Sequence, residues 1–265
     1  MKRLLAMMMM ICVTLSACLM APPTRTPAFD AGELDQIAAQ ATQILINQAT
    51  QTLTPTITPT ASIQAGESDP TFRDDFNSTL RAGWTWKNEN SKNWSLQTVP
   101  GSLQIKVDGG YVNLGNMPNL LLRPAPDEDF MIETSLLFDP KDNNQFAGLI
   151  LYESNENFIQ AGNSYCDPVN GCEGQGLYFD IYLDGNLTLP RVINKVELVS
   201  LSLRVTRQGN LFSFFTSPDG KVWYLVTRQE VAMKALQVGL VAGQNVEGNT
   251  PPAALFDYFE INKVE

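Results

Sequence analysis

"GLYFDIYLDG", residues 176–185, decides the fold. Leu177, Phe179, Ile181 and Leu183 fall on one side of an extended chain, and Tyr178, Asp180, Tyr182 and Asp184 on the other. Strand side chains alternate with a period of two, so this stretch predicts a strand with one apolar face and one polar, aromatic face. Its closing Asp-Gly is the chemistry at which strands turn. The pattern recurs in "FMIETSLLF", 130–138, where Phe130, Ile132, Thr134, Leu136 and Phe138 alternate with Met131, Glu133, Ser135 and Leu137. In "LSLRVTRQGN", 201–210, Leu201, Leu203 and Val205 point inward while Ser202, Arg204 and Thr206 point outward. "SPDG", 217–220, reads as a hairpin turn leading into "KVWYLV". Many short strands bounded by Gly, Asn, Asp and Pro, with no convincing helix among them, predict an all-β jelly-roll sandwich of two antiparallel sheets.

Upstream the composition changes. "TPTITPT", 54–60, is low-complexity and stiffened by proline. Before it, Leu34, Ile37, Ala41, Ile44 and Gln48 follow a 3-4-3-4 spacing, which predicts a short stalk helix over 33–53. Rich in Gln and Ala, that helix is a marginal candidate for self-association. The folded part is placed at 69–265, about 195 residues, enough for one domain with a real core.

At the N-terminus, Lys2 and Arg3 precede the apolar run "LLAMMMMICVTL", which is too short to span a bilayer as a mature helix. It ends in "LSAC", residues 15–18. This resembles the lipobox of bacterial lipoproteins, which implies a signal peptide at 1–17, lipidation of Cys18, and a tether over 18–68. The alternative is a plain secretory signal in which Cys18 is incidental. Lipidation implies an exported protein anchored to the cell membrane or outer membrane, facing the periplasm or the exterior. Leu19 does not settle which membrane.

The full chain carries a formal charge of −10 and no histidine. Removing 1–17 takes away Lys2 and Arg3 and no acid, moving the charge to −12. Such acidity argues against nucleic acid as a partner and against binding anionic lipid by charge. With no histidine, Ser-His-Asp and Cys-His catalysis and a histidine pH switch are excluded. Of four cysteines, Cys12 lies in the signal and Cys18 is the lipidation candidate, which leaves Cys166 and Cys172 in "CDPVNGC". A turn between them, in an exported chain, makes a disulfide the expectation; two free thiols are the alternative.

Taken in order, "FRDDFNSTLRAGWTW", "NWSL", "GSLQI", "NLLLRP", "DFMIETSLLF", "FAGLILYESNENFI", "LSLRVTRQGN", "VWYLV", "LQVGLVAG" and "FDYFEI" resemble the concanavalin A-like sandwich at the C-terminus of bacterial β-xylosidases, over residues 72–262. The resemblance implies curved antiparallel sheets with the first and last strands paired. In those xylosidases the catalytic residues lie mainly on a separate propeller domain, which this sequence is not expected to contain.

The resemblance also implies a structural Ca²⁺ where the terminal strands meet, with Asp75 and Asp257 as candidate ligands; the alternative is aspartates that initiate turns. "WTWKNENSKNW", 84–94, holds three of the four tryptophans. Trp84 and Trp94 coincide with aromatic positions of the family and are expected to pack, whereas Trp86 is an even choice between packing and ligand binding. The better ligand candidates are Tyr178, Asp180 and Tyr182, joined by Glu133 and Arg204 from the corresponding faces of other strands, with Tyr152 and Glu153 at the rim. Ring faces stack on sugars and charged groups meet hydroxyls; the alternative is an ordinary solvated sheet face. Related sandwich glucanases carry their acids as E-x-D-x-x-E, and nothing here matches that pattern. The reading is a lipid-anchored, non-catalytic, carbohydrate-binding-like domain. Its alternatives are a glycoside hydrolase or polysaccharide lyase of the sandwich type, and a structural or protein-binding envelope module.

Overall fold

The computed structural model describes residues 71–166, 174–188, 194–195, 198–244 and 251–264. The signal, the stalk, the Thr/Pro segment, Cys18 and Cys172 lie outside them.

The alternating stretches form strands, numbered in chain order, and the strands form two antiparallel sheets. The first runs β14 (Tyr224–Glu230), β13 (Leu211–Ser217), β12 (Ser200–Gln208), β6 (Phe130–Leu137), β16 (Ala253–Lys263), β4 (Leu103–Lys106) and β3 (Trp94–Ser95). The short β1 (Phe72–Asp74) also pairs with β16. The second runs β10 (Asn186–Leu187), β9 (Gly174–Leu183), β8 (Phe158–Cys166), β7 (Gln145–Tyr152), β15 (Gln237–Gln244), β5 (Leu120–Pro124) and β2 (Thr85–Lys87), with β11 (Asn194–Lys195) on β9. The expectation of two antiparallel sheets holds, and the first and last strands pair.

Between the sheets lies the core that the alternation predicts. Phe130, Ile132, Leu136, Leu203, Val205, Phe212 and Phe214 of the first sheet meet Leu149, Ile159, Leu177, Phe179 and Ile181 of the second. Phe179 stacks on Phe214 across the gap, with centroids 6.1 Å apart and rings 16° from parallel. Each such side chain taken out of water contributes about 1.5–3 kcal/mol. "DG" at 184–185 makes the two-residue turn from β9 to β10, both residues at positive φ, the backbone that matches strand twist.

β16 serves two neighbours on one flank. Residues Ala253 to Phe256 pair with β4, and Phe259 to Ile261 pair with β1. The register shifts between Phe256 and Phe259, so both phenylalanines face the core although three positions apart. Such a bulge inserts an unpaired residue and bends the strand. Thr134 Oγ1 donates to the Tyr258 carbonyl at 2.6 Å and fastens the irregular segment.

The tryptophans pack as expected for Trp84 and Trp94. The ring of Trp84 meets Phe259 at 5.0 Å and Phe72 at 5.8 Å, both edge to face. Its Nε1 donates to Asp74 Oδ2 at 2.9 Å. Trp86 and Trp94 lie 4.8 Å apart and pack against the same core. Asp74, and not Asp75, is the buried aspartate of the pair, and it also accepts from the amides of Phe76 and Arg81. Trp84→Phe removes one hydrogen bond to a carboxylate and should cost about 1.5–3 kcal/mol, read from thermal unfolding.

Candidate functional site

Placing the predicted site residues on this frame separates them. Tyr178, Asp180, Tyr182 and Tyr152 stand on the face of the second sheet that points away from the core. Glu133 and Arg204 stand on the outward face of the first sheet, on the other side of the sandwich. A single site containing all of them is therefore corrected to two separate faces. One strand shows only which residues share a side, not which sheet it joins.

On the first sheet, Arg204, Glu133, Glu260 and Arg73 are cross-strand neighbours in one row over β12, β6, β16 and β1. Arg204 donates from Nε and Nη2 to Glu133 Oε2, at 2.9 and 2.7 Å. Tyr258 Oη donates to Glu133 Oε1 at 2.5 Å. The guanidinium of Arg204 lies 3.7 Å from the centre of the Trp223 ring, and that of Arg73 lies 4.1 Å from the centre of the Tyr258 ring. Burial raises the pKa of Glu133 despite the opposing effects of Arg204 and Tyr258. Burial, followed by the charge of Glu133, raises Tyr258 as well. Expected to meet sugar hydroxyls, Glu133 and Arg204 are instead spent on each other and on their aromatic neighbours.

The far face of the second sheet is not a solvated surface either. Val112 and Met117, from the connection between β4 and β5, pack over Leu120, Leu122, Phe146, Ile150, Tyr152, Phe158, Tyr178 and Val241 to form a second apolar cluster. Tyr178 is 0% exposed and Asp180 is 1% exposed. Two rows nevertheless have ligand chemistry. In the first, Asp180, Gln160 and Ile150 are cross-strand neighbours, and Gln160 Nε2 donates to Asp180 Oδ2 at 3.2 Å. Oε1 of Gln160 is buried with no partner among the described residues. In the second row, Tyr182, Phe158 and Tyr152 are neighbours. Tyr182 stacks on Phe158 at 4.5 Å, rings 12° from parallel, and is the half-buried member that solvent reaches. Lys87 Nζ donates to Tyr152 Oη at 2.8 Å, and Tyr152 donates to Asn155 Oδ1 at 2.6 Å.

Gln160 and Phe158 were not among the predicted residues. Their signal was the same period-two alternation, in "FIQAGNSY", on the parity that the structure turns away from the core. Trp86 points toward the core and does not join this face. Glu153 accepts from the Lys234 amide at 3.3 Å at the rim. Cys166 ends β8, and its expected partner Cys172 lies outside the described residues.

The aspartates considered for calcium are engaged elsewhere. Asp75 pairs with Arg73 Nε at 2.7 Å, while the carboxylate of Asp257 accepts from Ser102 and Ser135, each at 3.0 Å. No three His, Cys, Asp or Glu side chains converge among the described residues.

Two packed, twisted antiparallel sheets with the terminal strands paired define a concanavalin A-like sandwich. The chain belongs to the family of the β-xylosidase C-terminal concanavalin A-like domain, whose pattern residues 73–262 match. Among solved structures it is similar to the GH43 protein BlXynB of Bacillus licheniformis, at 23% identity and TM-score 0.65, covering 74% of this chain and 40% of that one. It is also similar to a xylan β-1,4-xylosidase of Bacillus halodurans C-125, at 19% identity and TM-score 0.61, covering 75% and 40%. A β-glucanase of Bacillus licheniformis is matched over 100% of its length and 74% of this chain, at 13% identity and TM-score 0.52. At these identities the likeness is one of fold. The match thus spans 40% of the length of BlXynB and of the xylan β-1,4-xylosidase. No curated protein matches it.

Proposed function

We propose that this protein displays a non-catalytic, glycan-binding sandwich, held at the cell membrane or outer membrane by a lipid on Cys18. The observation that carries the reading is the row on the second sheet where the half-buried ring of Tyr182 stacks on Phe158, beside the buried Gln160–Asp180 pair. An aromatic ring that solvent reaches offers apolar surface to the C–H side of a sugar. Membership in a xylosidase-associated family supports a carbohydrate as the ligand. A binding role fits better than hydrolysis, because Asp180 faces the amide of Gln160 across the strands, where a glycosidase needs a second carboxylate. Export would also preserve a Cys166–Cys172 disulfide.

The test is a glycan array followed by titration calorimetry on the full chain in detergent. Binding to a plant or bacterial polysaccharide is expected, weakened about tenfold, or about 1.4 kcal/mol, by Tyr182→Ala. A folded protein that binds none of the arrayed glycans would overturn the proposal in favour of a protein partner. Turnover of a bound glycan, lost in Asp180→Asn, would make it a hydrolase.

A further inference from the structure

A more accessible cluster lies away from those rows, where Arg123 of β5 meets Phe72 of β1. The guanidinium carbons of Arg123 and Arg81 lie 3.0 and 5.6 Å from the centre of the Phe72 ring, and that of Arg123 lies 5.2 Å from the Trp84 ring. Nε and Nη1 of Arg123 are buried with no acceptor among the described residues. The carboxylate that acts on Arg123 is Asp74, whose oxygens already accept from the Phe76 and Arg81 amides and from Trp84 Nε1. Arg81 donates to the carbonyl of Arg73. Arg73, the third arginine here, is paired with Asp75 and Glu260. The Arg123 guanidinium thus depends on one carboxylate that is already hydrogen-bonded, and the charge of Arg81 stands near it. Burial, reinforced by the charge of Arg81 and opposed by Asp74, lowers the pKa of Arg123 to about 10. A cation partly withdrawn from water gains from an anion placed against it. Solvent reaches the cluster at Arg81, which is exposed, while Arg123, Phe72 and Trp84 are half-buried.

We infer that Arg81 and Arg123 hold an oxyanion, the carboxylate of an acidic sugar, against the rings of Phe72 and Trp84. Guanidiniums pair with carboxylates through charge-assisted hydrogen bonds, and aromatic rings alongside suit a sugar. A phospholipid surface is the weaker match. The chain carries a net charge of −10, and Asp75 and Glu260 flank the cluster, so a broad anionic sheet is repelled where a single carboxylate is not. The sugar identity leans on the glycan-binding reading above; the anion site stands on its own geometry.

The test titrates the full chain in detergent with polygalacturonate oligomers, neutral xylo-oligosaccharides and glycerol 3-phosphate, the last as a soluble headgroup probe. Polygalacturonate oligomers are expected to bind, less tightly as salt rises. Arg81→Gln and Arg123→Met should each weaken that binding about tenfold or more. Arg81 is exposed, so Arg81→Gln reports even if Arg123→Met fails to fold. Absence of polygalacturonate binding, or binding that Arg81→Gln leaves unchanged, overturns the inference. Arg81-dependent binding of glycerol 3-phosphate alone overturns the sugar assignment and makes the ligand a lipid headgroup. Neutral xylo-oligosaccharide binding that is lost in Tyr182→Ala and kept in Arg81→Gln preserves the proposed function whatever happens at the arginines.

Discussion

Gly162→Ala is expected to destabilise the fold severely. Gly162 of β8 and Gly148 of β7 are cross-strand partners, and the two strands approach so closely there that neither position has room for a Cβ. A methyl on Gly162 would run into the carbonyl of Ala147 and lie 2.8 Å from Gly148 Cα; one on Gly148 would run into the carbonyl of Ala161 and lie 2.7 Å from Gly162 Cα. The obstruction is backbone on both sides, in the middle of a sheet, so no rotamer change relieves it. Interiors packed like crystals transmit such an overlap instead of absorbing it. A loss above about 4 kcal/mol is the expectation, a large fraction of a typical domain's stability. Gly209 provides the contrast. It sits at φ +58 with nothing within 4 Å of a new Cβ, so Gly209→Ala should cost only about 1–2 kcal/mol of backbone strain. Denaturant midpoints of the two variants would separate a steric wall from a turn preference. Gly162→Ala unfolding near the wild-type midpoint would mean the strands can move apart.

Arg204→Ala should be the second severe change, and its penalty should depend on pH. Removing the guanidinium leaves Glu133 buried, with Tyr258 as its remaining hydrogen-bond donor. Breaking a buried pair from one side costs about 3–5 kcal/mol, because a charge is left without its partner. Trp223 also loses the cation over its ring. Acid should reduce the defect, since a protonated Glu133 no longer needs the partner. Glu133→Gln in the Arg204→Ala background should recover part of the loss near neutral pH. In the intact protein, burial holds the pKa of Glu133 above its ordinary value of 4.5, so the fold keeps that proton more tightly than the unfolded chain does. The sign follows: this group's contribution is fully present below about pH 4.5, is lost as pH rises through the folded-state value, and is constant above it. Glu133→Gln should flatten that segment of the stability–pH curve. An Arg204→Ala defect of equal size at pH 4 and pH 8 would sink the account.

Much of the architecture was legible because a strand's two faces are written in its own residues. Leu177, Phe179 and Ile181 announce a buried face wherever the strand is placed, and the Asp-Gly after them announces a turn. The resemblance carried the family because ten short segments in one order constrain a fold more tightly than any one of them does. The site was less legible. Period-two parity says that Tyr178 and Asp180 point together, and equally that Glu133 and Arg204 avoid the core. It does not say which sheet each strand joins, or what lies over its outer face. Met117 and Val112 look like loop residues in a Gly- and Asn-rich stretch, yet they cap one sheet. Trp223, three positions after the "SPDG" turn, lies over Arg204 on the other.

By itself, then, the sequence determined strand content, the inward residues, the turn positions and the family, all properties set by local chemistry and by order along the chain. Only the tertiary structure decided that the polar faces belong to opposite sides of the sandwich, that Glu133 and Arg204 satisfy each other, and that Arg81 and Arg123 converge on one ring. Those outcomes join residues far apart in sequence. Arg204 and Glu133 are 71 positions apart, and nothing local to either encodes the other. Strand order supplies the encounter, and strand order follows from how all the inward faces are buried at once.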